Sequence, residues 1–123
     1  MFVVVEEFRP GPGRVLLEIP GGCIDDGEEP VDASKREIRE ETGYSGQVHH
    51  LATTYLSACS NARKHIFIMP EAELVGEPIL EDTDSLKPRP ISKTEFIALT
   101  ESGDLTDLDA ALTVLRYLEN YEP

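Results

Sequence analysis

Short runs of apolar and β-branched residues alternate with polar turn segments along most of this 123-residue chain. Runs of this length and composition predict strands, and the proline and glycine residues between them predict turns. The predicted strands cover residues 1–7, 14–19, 47–56, 64–70 and 72–76. A later run, residues 86–91, contains Pro88 and Pro90, which lack a backbone N–H, so it is compatible only with an edge strand.

A central segment carries the signals of a helix instead. Pro30 suits the first position of a helix, where its missing N–H is not needed. Gly43 suits the position just beyond a helix end, where a left-handed backbone is common. A helix is therefore expected over residues 30–42, and it follows a loop, residues 22–29, that is rich in glycine and aspartate.

Two further helices are predicted near the end of the chain. Ser92 and Glu95 have the spacing of a capping box, and Gly103 marks the end of that helix. Apolar residues at helical spacing then predict a last helix over residues 107–121 with one packing stripe. The stripe consists of Leu108, Ala111, Leu112, Leu115 and Leu118. Strands combined with one central and two late helices indicate an α/β or α+β fold, as a single domain over residues 1–123.

Three glutamates of the central helix are expected to lie on one side of it. At about 100° per residue, Glu40 and Glu41 fall within about 60° of Glu37, one on each side. Like charges four residues apart destabilise an isolated helix by about 0.2–0.5 kcal/mol. A hard cation such as Mg²⁺ turns that repulsion into binding, because it prefers oxygen ligands. We therefore favour a metal-binding face over a merely solvated one.

The other faces of this helix have different expected roles. Val31, Ile38 and Thr42 fall on a neighbouring side, which is expected to pack on the sheet. Lys35 and Arg39 fall on the opposite side, one helical turn apart, and are expected to face solvent. The helix is thus predicted to divide packing, metal binding and solvation among three faces.

The formal net charge is −13, from 11 basic and 24 acidic side chains. Binding to bare nucleic acid is disfavoured, because phosphate contacts require clustered Lys and Arg. An enzyme acting on phosphates is still compatible with this charge if divalent cations lie between acidic side chains and the substrate. No apolar run reaches the roughly 18 residues of a membrane span, and no signal peptide is visible. A cytoplasmic protein without a membrane partner is therefore expected.

The central loop and helix together carry residue types at a fixed spacing, G-x5-E-x7-R-E-I-x-E-E-x-G. In this chain the pattern is formed by Gly22, Glu28, Arg36, Glu37, Ile38, Glu40, Glu41 and Gly43. A match of this kind at a given start arises by chance with a probability on the order of 10⁻⁸. The chain therefore strongly resembles the Nudix hydrolases, and the resemblance implies a mixed β-sheet sandwiched between helices.

The resemblance also implies a reaction, namely metal-dependent hydrolysis of a pyrophosphate joined to another moiety, with Mg²⁺ or Mn²⁺ as the cofactor. The metal ligands that it implies are Glu37, Glu40, Glu41 and the backbone carbonyl of Gly21. In an alternative assignment, one of these three glutamates does not bind the metal and orients the attacking water instead. Arg36 is implied to hold Glu28, and with it the loop, against the helix, as a bidentate pair can do.

Many members of the family place an additional acidic residue, the general base, in a loop well after the motif. The corresponding candidates here are Glu81 and Asp82, and the alternative is an acidic loop that is merely solvated. A homodimer is expected by family analogy.

The stretch before the motif is similar to that of ADP-ribose and other nucleotide-sugar pyrophosphatases. By this similarity Arg9 and Glu18 are substrate-binding residues; otherwise they are an ordinary turn residue and an ordinary strand residue. Two features depart from ADP-ribose pyrophosphatases: residues 57–60 lack a proline, and the chain starts close to the strand before the motif. ADP-ribose or a related nucleotide sugar is the favoured substrate. Another dinucleotide, a nucleoside triphosphate, or a non-catalytic nucleotide-binding module are the alternatives.

Overall fold

The computed structural model describes residues 1–80 and 85–121 of the chain. Its strands are β1 (Phe2–Arg9), β2 (Arg14–Glu18), β3 (Tyr44–Ser45), β4 (His49–Tyr55), β5 (Arg63–Ile68), β6 (Glu73–Leu74) and β7 (Lys87–Ile91). Its helices are α1 (Pro30–Thr42), α2 (Lys93–Ser102) and α3 (Leu108–Tyr121). Strands combined with three helices confirm the α+β prediction.

The strands of the described residues form three antiparallel ladders, in the orders β2-β1-β7, β3-β6 and β4-β5. A single parallel bridge joins Leu17 to Leu105. α1 contacts a strand of every ladder, whereas α3 contacts β4, β5 and α2. The central helix is therefore the element around which the separate ladders are arranged.

The β1–β2 hairpin is longer than its sequence pattern predicts. The register pairs Phe8 with Val15 and Arg9 with Arg14, so the first strand runs two residues beyond the predicted end at residue 7. Cross-strand pairing up to the turn extends the strand, because each added residue gains a backbone partner. Arg9 therefore lies in a strand rather than in a turn.

β7 is the edge strand that its prolines predict. It lies at one end of the three-stranded ladder, where Pro88 pairs with Val5 and Pro90 pairs with Val3. Because alternate residues of a strand point their N–H groups the same way, both prolines remove donors from one side only. The ladder with β1 therefore forms on the other side.

The main core joins the three-stranded ladder to the two late helices. It consists of Val4, Ile91, Phe96, Leu105 and Ala111, and the ring of Phe2 stacks on Phe96 with centroids 4.3 Å apart. The capping box of Ser92 and Glu95 is present as predicted and starts α2 next to β7.

Three expectations about helix faces are wrong in part. Leu108 and Leu112 of the predicted α3 stripe are exposed, whereas Ala111 of the stripe is buried and Leu115 packs against the core as predicted. Ala110, which is outside the predicted stripe, is also buried. On α1, Val31 is 38% exposed, although Thr42 is buried as predicted. Helical spacing identifies an apolar arc but not which part of that arc meets a neighbour.

Arg39 is not on a solvent face, although Lys35 is exposed as predicted. Arg39 Nη1 donates to the carbonyl of Glu77 at 2.9 Å, and Ile79 N donates to the carbonyl of Glu40 at 2.7 Å. The segment that contains Glu77 and Ile79 therefore folds over the end of α1, which the spacing within the helix cannot reveal.

Two glycines end helices in the same backbone conformation, with φ of 79° at Gly43 and 78° at Gly103. We expect Gly103→Ala to lower the free energy of unfolding by about 1–2 kcal/mol, the cost of a left-handed alanine. Gly43→Ala should cost at least about 1 kcal/mol more, because its Cβ would overlap the Gly76 carbonyl oxygen. Urea unfolding of both variants measures this difference, and equal losses would contradict the close approach at Gly43.

Candidate active site

Arg36 fastens the loop before α1 to the helix. Its Nε donates to Glu28 Oε2 at 2.9 Å and its Nη2 donates to Glu28 Oε1 at 2.9 Å, a bidentate pair. Nη2 also donates to the carbonyl of Cys23 at 3.1 Å, and Asp25 N donates to Glu28 Oε1 at 3.1 Å. The pairing that the resemblance implied is therefore present, and several bonds hold the loop in one conformation.

The same guanidinium also reaches the carboxylates of the helix. Arg36 Nη1 donates to Glu37 Oε1 at 2.9 Å and lies 3.3 Å from Glu40 Oε2. The pKa of Arg36 is raised by these hydrogen bonds. The bond with Glu28 has the largest effect, and the bond with Glu37 has the next largest. One positive charge thus lies between loop and helix carboxylates and offsets their repulsion.

The two glycines that open the motif lie directly against the helix carboxylates. Gly21 N donates to Glu41 Oε2 at 3.1 Å. A Cβ added to Gly22 would come within 2.8 Å of Glu37 Oε2, so a larger residue there would displace that carboxylate. The close approach of backbone and carboxylates explains why glycine suits this position.

The pKa of the Glu41 carboxyl lies well above its ordinary value. Burial raises its pKa to about 7, and the hydrogen bond from Gly21 N partly opposes this shift. The negative charges of Glu37, Glu7 and Glu18 raise the pKa further. An acidic cluster of this kind is electrostatically unfavourable alone and attracts cations.

A divalent cation fits the chemistry of this donor set, because the side chains of Glu37, Glu40 and Glu41 and the carbonyl of Gly21 offer only oxygen ligands. As they stand, however, no three acidic, His or Cys side chains within residues 1–80 and 85–121 are grouped to hold a metal. The reason is visible in the contacts, since Arg36 hydrogen-bonds Glu37 and Glu40 while Gly21 N hydrogen-bonds Glu41.

Arg9 and Glu18, the predicted substrate residues, are paired with each other. Arg9 Nε donates to Glu18 Oε2 at 2.8 Å and Nη2 donates to Glu18 Oε1 at 2.7 Å, while Glu7 lies 3.0 Å from Nη2. The β1–β2 hairpin places these residues near Glu41, as their mutual charge effects indicate. The structure therefore joins both predicted substrate residues to the predicted metal site.

A cavity of about 600 Å³ opens beside the motif. Its walls include Glu18 and residues 19–24 of the loop, Glu37 of α1, residues 63–67 of β5, and the start of α3. Cavities of this volume accommodate a nucleotide-sized ligand. Because Glu37 is one of its lining residues, the cavity adjoins the carboxylates of the candidate metal site.

Sequence reasoning missed Glu7 and the β5 residues of this cavity. Glu7 lies at the end of a predicted strand and has no motif position, so no signal in the sequence identifies it. The β5 residues Arg63, His65 and Phe67 alternate at strand spacing, which is a detectable signal, but the sequence does not say what that face meets. Glu81 and Asp82, the candidate bases, lie outside the described residues.

The family model of the NUDIX domain matches residues 2–115. The chain therefore belongs to the Nudix family, whose hydrolases generally use divalent metal ions. The part of the chain that the structure describes has no helix long and apolar enough to cross a membrane.

Two curated relatives are similar over nearly the whole chain. An ADP-sugar pyrophosphatase of Mus musculus is 34% identical over 114 residues, which are 88% of this chain and 49% of that protein. An ADP-ribose pyrophosphatase of Bacillus subtilis is 28% identical over 120 residues, which are 95% of this chain and 64% of that protein. The chain thus spans between about half and two thirds of the length of these relatives.

A solved structure, described as an ADP compounds hydrolase, superposes with a TM-score of 0.84. It shares 18% sequence identity, and the match covers 98% of this chain and 67% of that chain. At this identity the likeness establishes the fold alone, and it confirms the Nudix fold predicted from the motif.

The Arg36–Glu28 pair predicts an acid dependence of stability. Hydrogen bonds from Arg36 and from Asp25 N lower the pKa of Glu28 from 4.5 to about 2. Because the folded pKa is the lower one, the stabilisation is present above pH 4.5 and is lost as the pH falls through about 2. The difference in unfolding free energy between wild type and Glu28→Gln should therefore be constant at neutral pH and shrink below pH 4.5.

Urea unfolding at a series of pH values measures this dependence. Glu29→Gln is the matched control, because Glu29 is exposed and its side chain makes no capping hydrogen bond. A Glu28→Gln difference that stays constant down to pH 2 would contradict the role of the pair.

Proposed function

We propose that this chain hydrolyses the pyrophosphate of a nucleoside diphosphate linked to another moiety, and that ADP-ribose or a related nucleotide sugar is its substrate. The observation that carries the proposal is the Arg36 cluster, which holds the loop glycines against Glu37 and Glu41 beside a cavity of nucleotide size. The named activities of the mouse and Bacillus subtilis relatives support the substrate class.

The proposed ligands of the cation are Glu37, Glu40, Glu41 and the carbonyl of Gly21. Mg²⁺, or Mn²⁺ in its place, suits these hard oxygen donors. When bound, such a cation neutralises the phosphates and lowers the pKa of a bound water. Its charge would also relieve the repulsion from Glu37, Glu7 and Glu18, which adds to the effect of burial in raising the pKa of Glu41.

The side chains of the chain itself position the reactants. Arg36 and Glu28 keep the loop glycines next to α1, so that the carbonyl of Gly21 stays near the carboxylates. Arg9, oriented by Glu18, offers its guanidinium to a substrate phosphate. Catalysis then consists mainly of positioning and charge stabilisation, and no covalent nucleophile is required.

Glu81 or Asp82 is proposed as the general base, or one of the motif glutamates orients the water instead. We further propose that the protein acts as a homodimer in the cytoplasm on a small-molecule nucleotide, without nucleic-acid or membrane partners. The net charge of −13 supports the absence of a nucleic-acid partner, because such partners require basic surfaces.

A substrate panel with Mg²⁺ and product identification tests the proposal. ADP-ribose and other nucleotide sugars should be cleaved at the pyrophosphate to give nucleoside monophosphate. Preferential cleavage of dinucleotides or nucleoside triphosphates would show that one of these classes, and not nucleotide sugars, is the substrate. Hydrolysis of none of these compounds, by protein that is folded, would refute the enzymatic function.

Glu41→Gln should lower turnover by at least roughly 10²-fold, because it removes a metal ligand from the reaction centre. Circular dichroism should show an intact fold. Glu119→Gln, on the exposed side of α3, is the matched control and should retain wild-type turnover. Turnover of Glu41→Gln equal to that of the control would rule out the ligand assignment.

Arg9→Ala should raise KM for the substrate with a smaller effect on kcat, because it removes a phosphate contact made in the ground state. Arg14→Ala is the matched control, since Arg14 lies on the same hairpin but pairs with Asp104 at the surface. Steady-state kinetics of both variants measures the effect. Equal KM values would show that Arg9 serves only its pair with Glu18.

A further inference from the structure

One face of the β4–β5 ribbon carries almost only planar and cationic side chains. Three cross-strand pairs form this ribbon face: Tyr55 with Arg63, Thr53 with His65, and His50 with Phe67. A register shift between His50 and Ala52 adds one residue, Leu51, to β4. This bulge brings His50 onto the same face as Thr53, although the two are an odd number of residues apart.

The side chains of the ribbon face contact one another across the strands. The Arg63 guanidinium carbon lies 4.5 Å from the centroid of the Tyr55 ring. The His50 ring centroid lies 5.2 Å from that of Phe67 and 6.2 Å from that of His65. The tilted ring contacts and the cation–π contact of Arg63 with Tyr55 hold the rings in place before any ligand arrives.

Thr53 links the two histidines of the ribbon face. Its Oγ1 lies 2.8 Å from His50 Nε2 and 2.9 Å from His65 Nδ1. A hydroxyl has one proton, so in the neutral state Thr53 donates to one imidazole and accepts from the other. Both rings are thereby oriented, and Nε2 of His65 makes no hydrogen bond to the described residues.

The ribbon face borders the cavity of the candidate active site. Residues 63–67 of β5 all line the cavity with Gly22 and Glu37, so Arg63, His65 and Phe67 of the ribbon face reach it along the same strand as Lys64 and Ile66 of the opposite face. β5 pairs only with β4 in the described ladders, so its other edge opens toward this space.

The opposite face of β5 already has its partners. Ile66 is buried there, and Lys64 Nζ lies 3.1 Å from Asp109 Oδ1 at the start of α3. The ribbon face is the unpartnered one, as the 62% exposure of Tyr55 indicates.

We propose that the ribbon face binds the base of the nucleotide substrate by stacking it on Phe67 and His65 beside Arg63. The inference rests on the proposed function, because it places the base at the far end of the cavity that holds Glu37. Every base presents a π-face, so aromatic, imidazole and guanidinium planes suit it. His65 Nε2 adds one hydrogen-bonding atom for the edge of the base.

The charges favour a base that belongs to an anionic ligand. Arg63 has no carboxylate partner within residues 1–80 and 85–121, in a chain of net charge −13. A phosphate on Arg63 alone would leave the rings of Phe67 and His65 without a function. A stacked base with its phosphates directed toward Glu37 uses both ends of the cavity.

Binding in the absence of metal tests the inference separately from hydrolysis. Calorimetric titration with AMP, GMP, CMP and UMP is compared with titration of ribose 5-phosphate, which has no base. At least one nucleotide should bind more tightly than ribose 5-phosphate by about fivefold or more, because stacking one base on an aromatic side chain is worth at least about that factor. Shifts of the His65 and Phe67 ring resonances should accompany binding.

Phe67→Leu should remove this advantage, whereas Phe8→Leu should keep it. Phe8 is an exposed phenylalanine of β1 that does not line the cavity, so the two variants make the same chemical change. Arg63→Gln, at an exposed position, should also reduce the ratio of nucleotide to ribose 5-phosphate affinity, and it decides the matter if Phe67→Leu does not fold.

Three results would overturn the inference: equal affinity for nucleotides and ribose 5-phosphate, an unchanged ratio in Arg63→Gln, or a folded Phe67→Leu that behaves as Phe8→Leu does. Base-dependent binding without hydrolysis of any compound in the substrate panel would leave the inference standing and refute the proposed function. Hydrolysis without base-dependent binding would refute the inference and leave the proposed function standing.

Discussion

The arrangement of the site depends on one guanidinium group. Arg36 joins Glu28 in the loop to Glu37 and Glu40 on the helix, and it also binds the carbonyl of Cys23. Without a positive charge at this point, loop and helix would repel each other through their carboxylates. With it, the loop glycines rest against the helix, and the backbone of the loop becomes part of the site. Arginine suits this role better than lysine, because its planar fork serves several acceptors at once.

Several carboxylates of this acidic chain lie close together around Glu41. Glu41 is buried near three further carboxylates and has a raised pKa, which is unfavourable for a charged group with no cation beside it. The fold tolerates this because α1 is anchored to strands of all three ladders. The packing of α1 on these strands thus offsets the unfavourable repulsion among the carboxylates. A divalent cation is the ligand that would relieve this repulsion.

The cavity joins this cluster to a surface of a different chemistry. The hairpin of β1 and β2 brings Arg9 and Glu18 to one side, and the ribbon of β4 and β5 supplies the rings on another. In the proposed function, pyrophosphate chemistry and recognition of the attached groups would therefore be carried by separate elements.

The sequence by itself determined the elements and the motif. Proline and glycine delimited α1, a capping box started α2, and the motif spacing identified the family, because these signals are local. Only the tertiary structure decided that residues near Glu77 cover the end of α1, and that a bulge at Leu51 turns His50 onto the ribbon face. Such contacts join residues distant in sequence, and no local spacing encodes them. Local chemistry thus predicted the candidate site around Arg36, whereas the walls of its cavity required the fold.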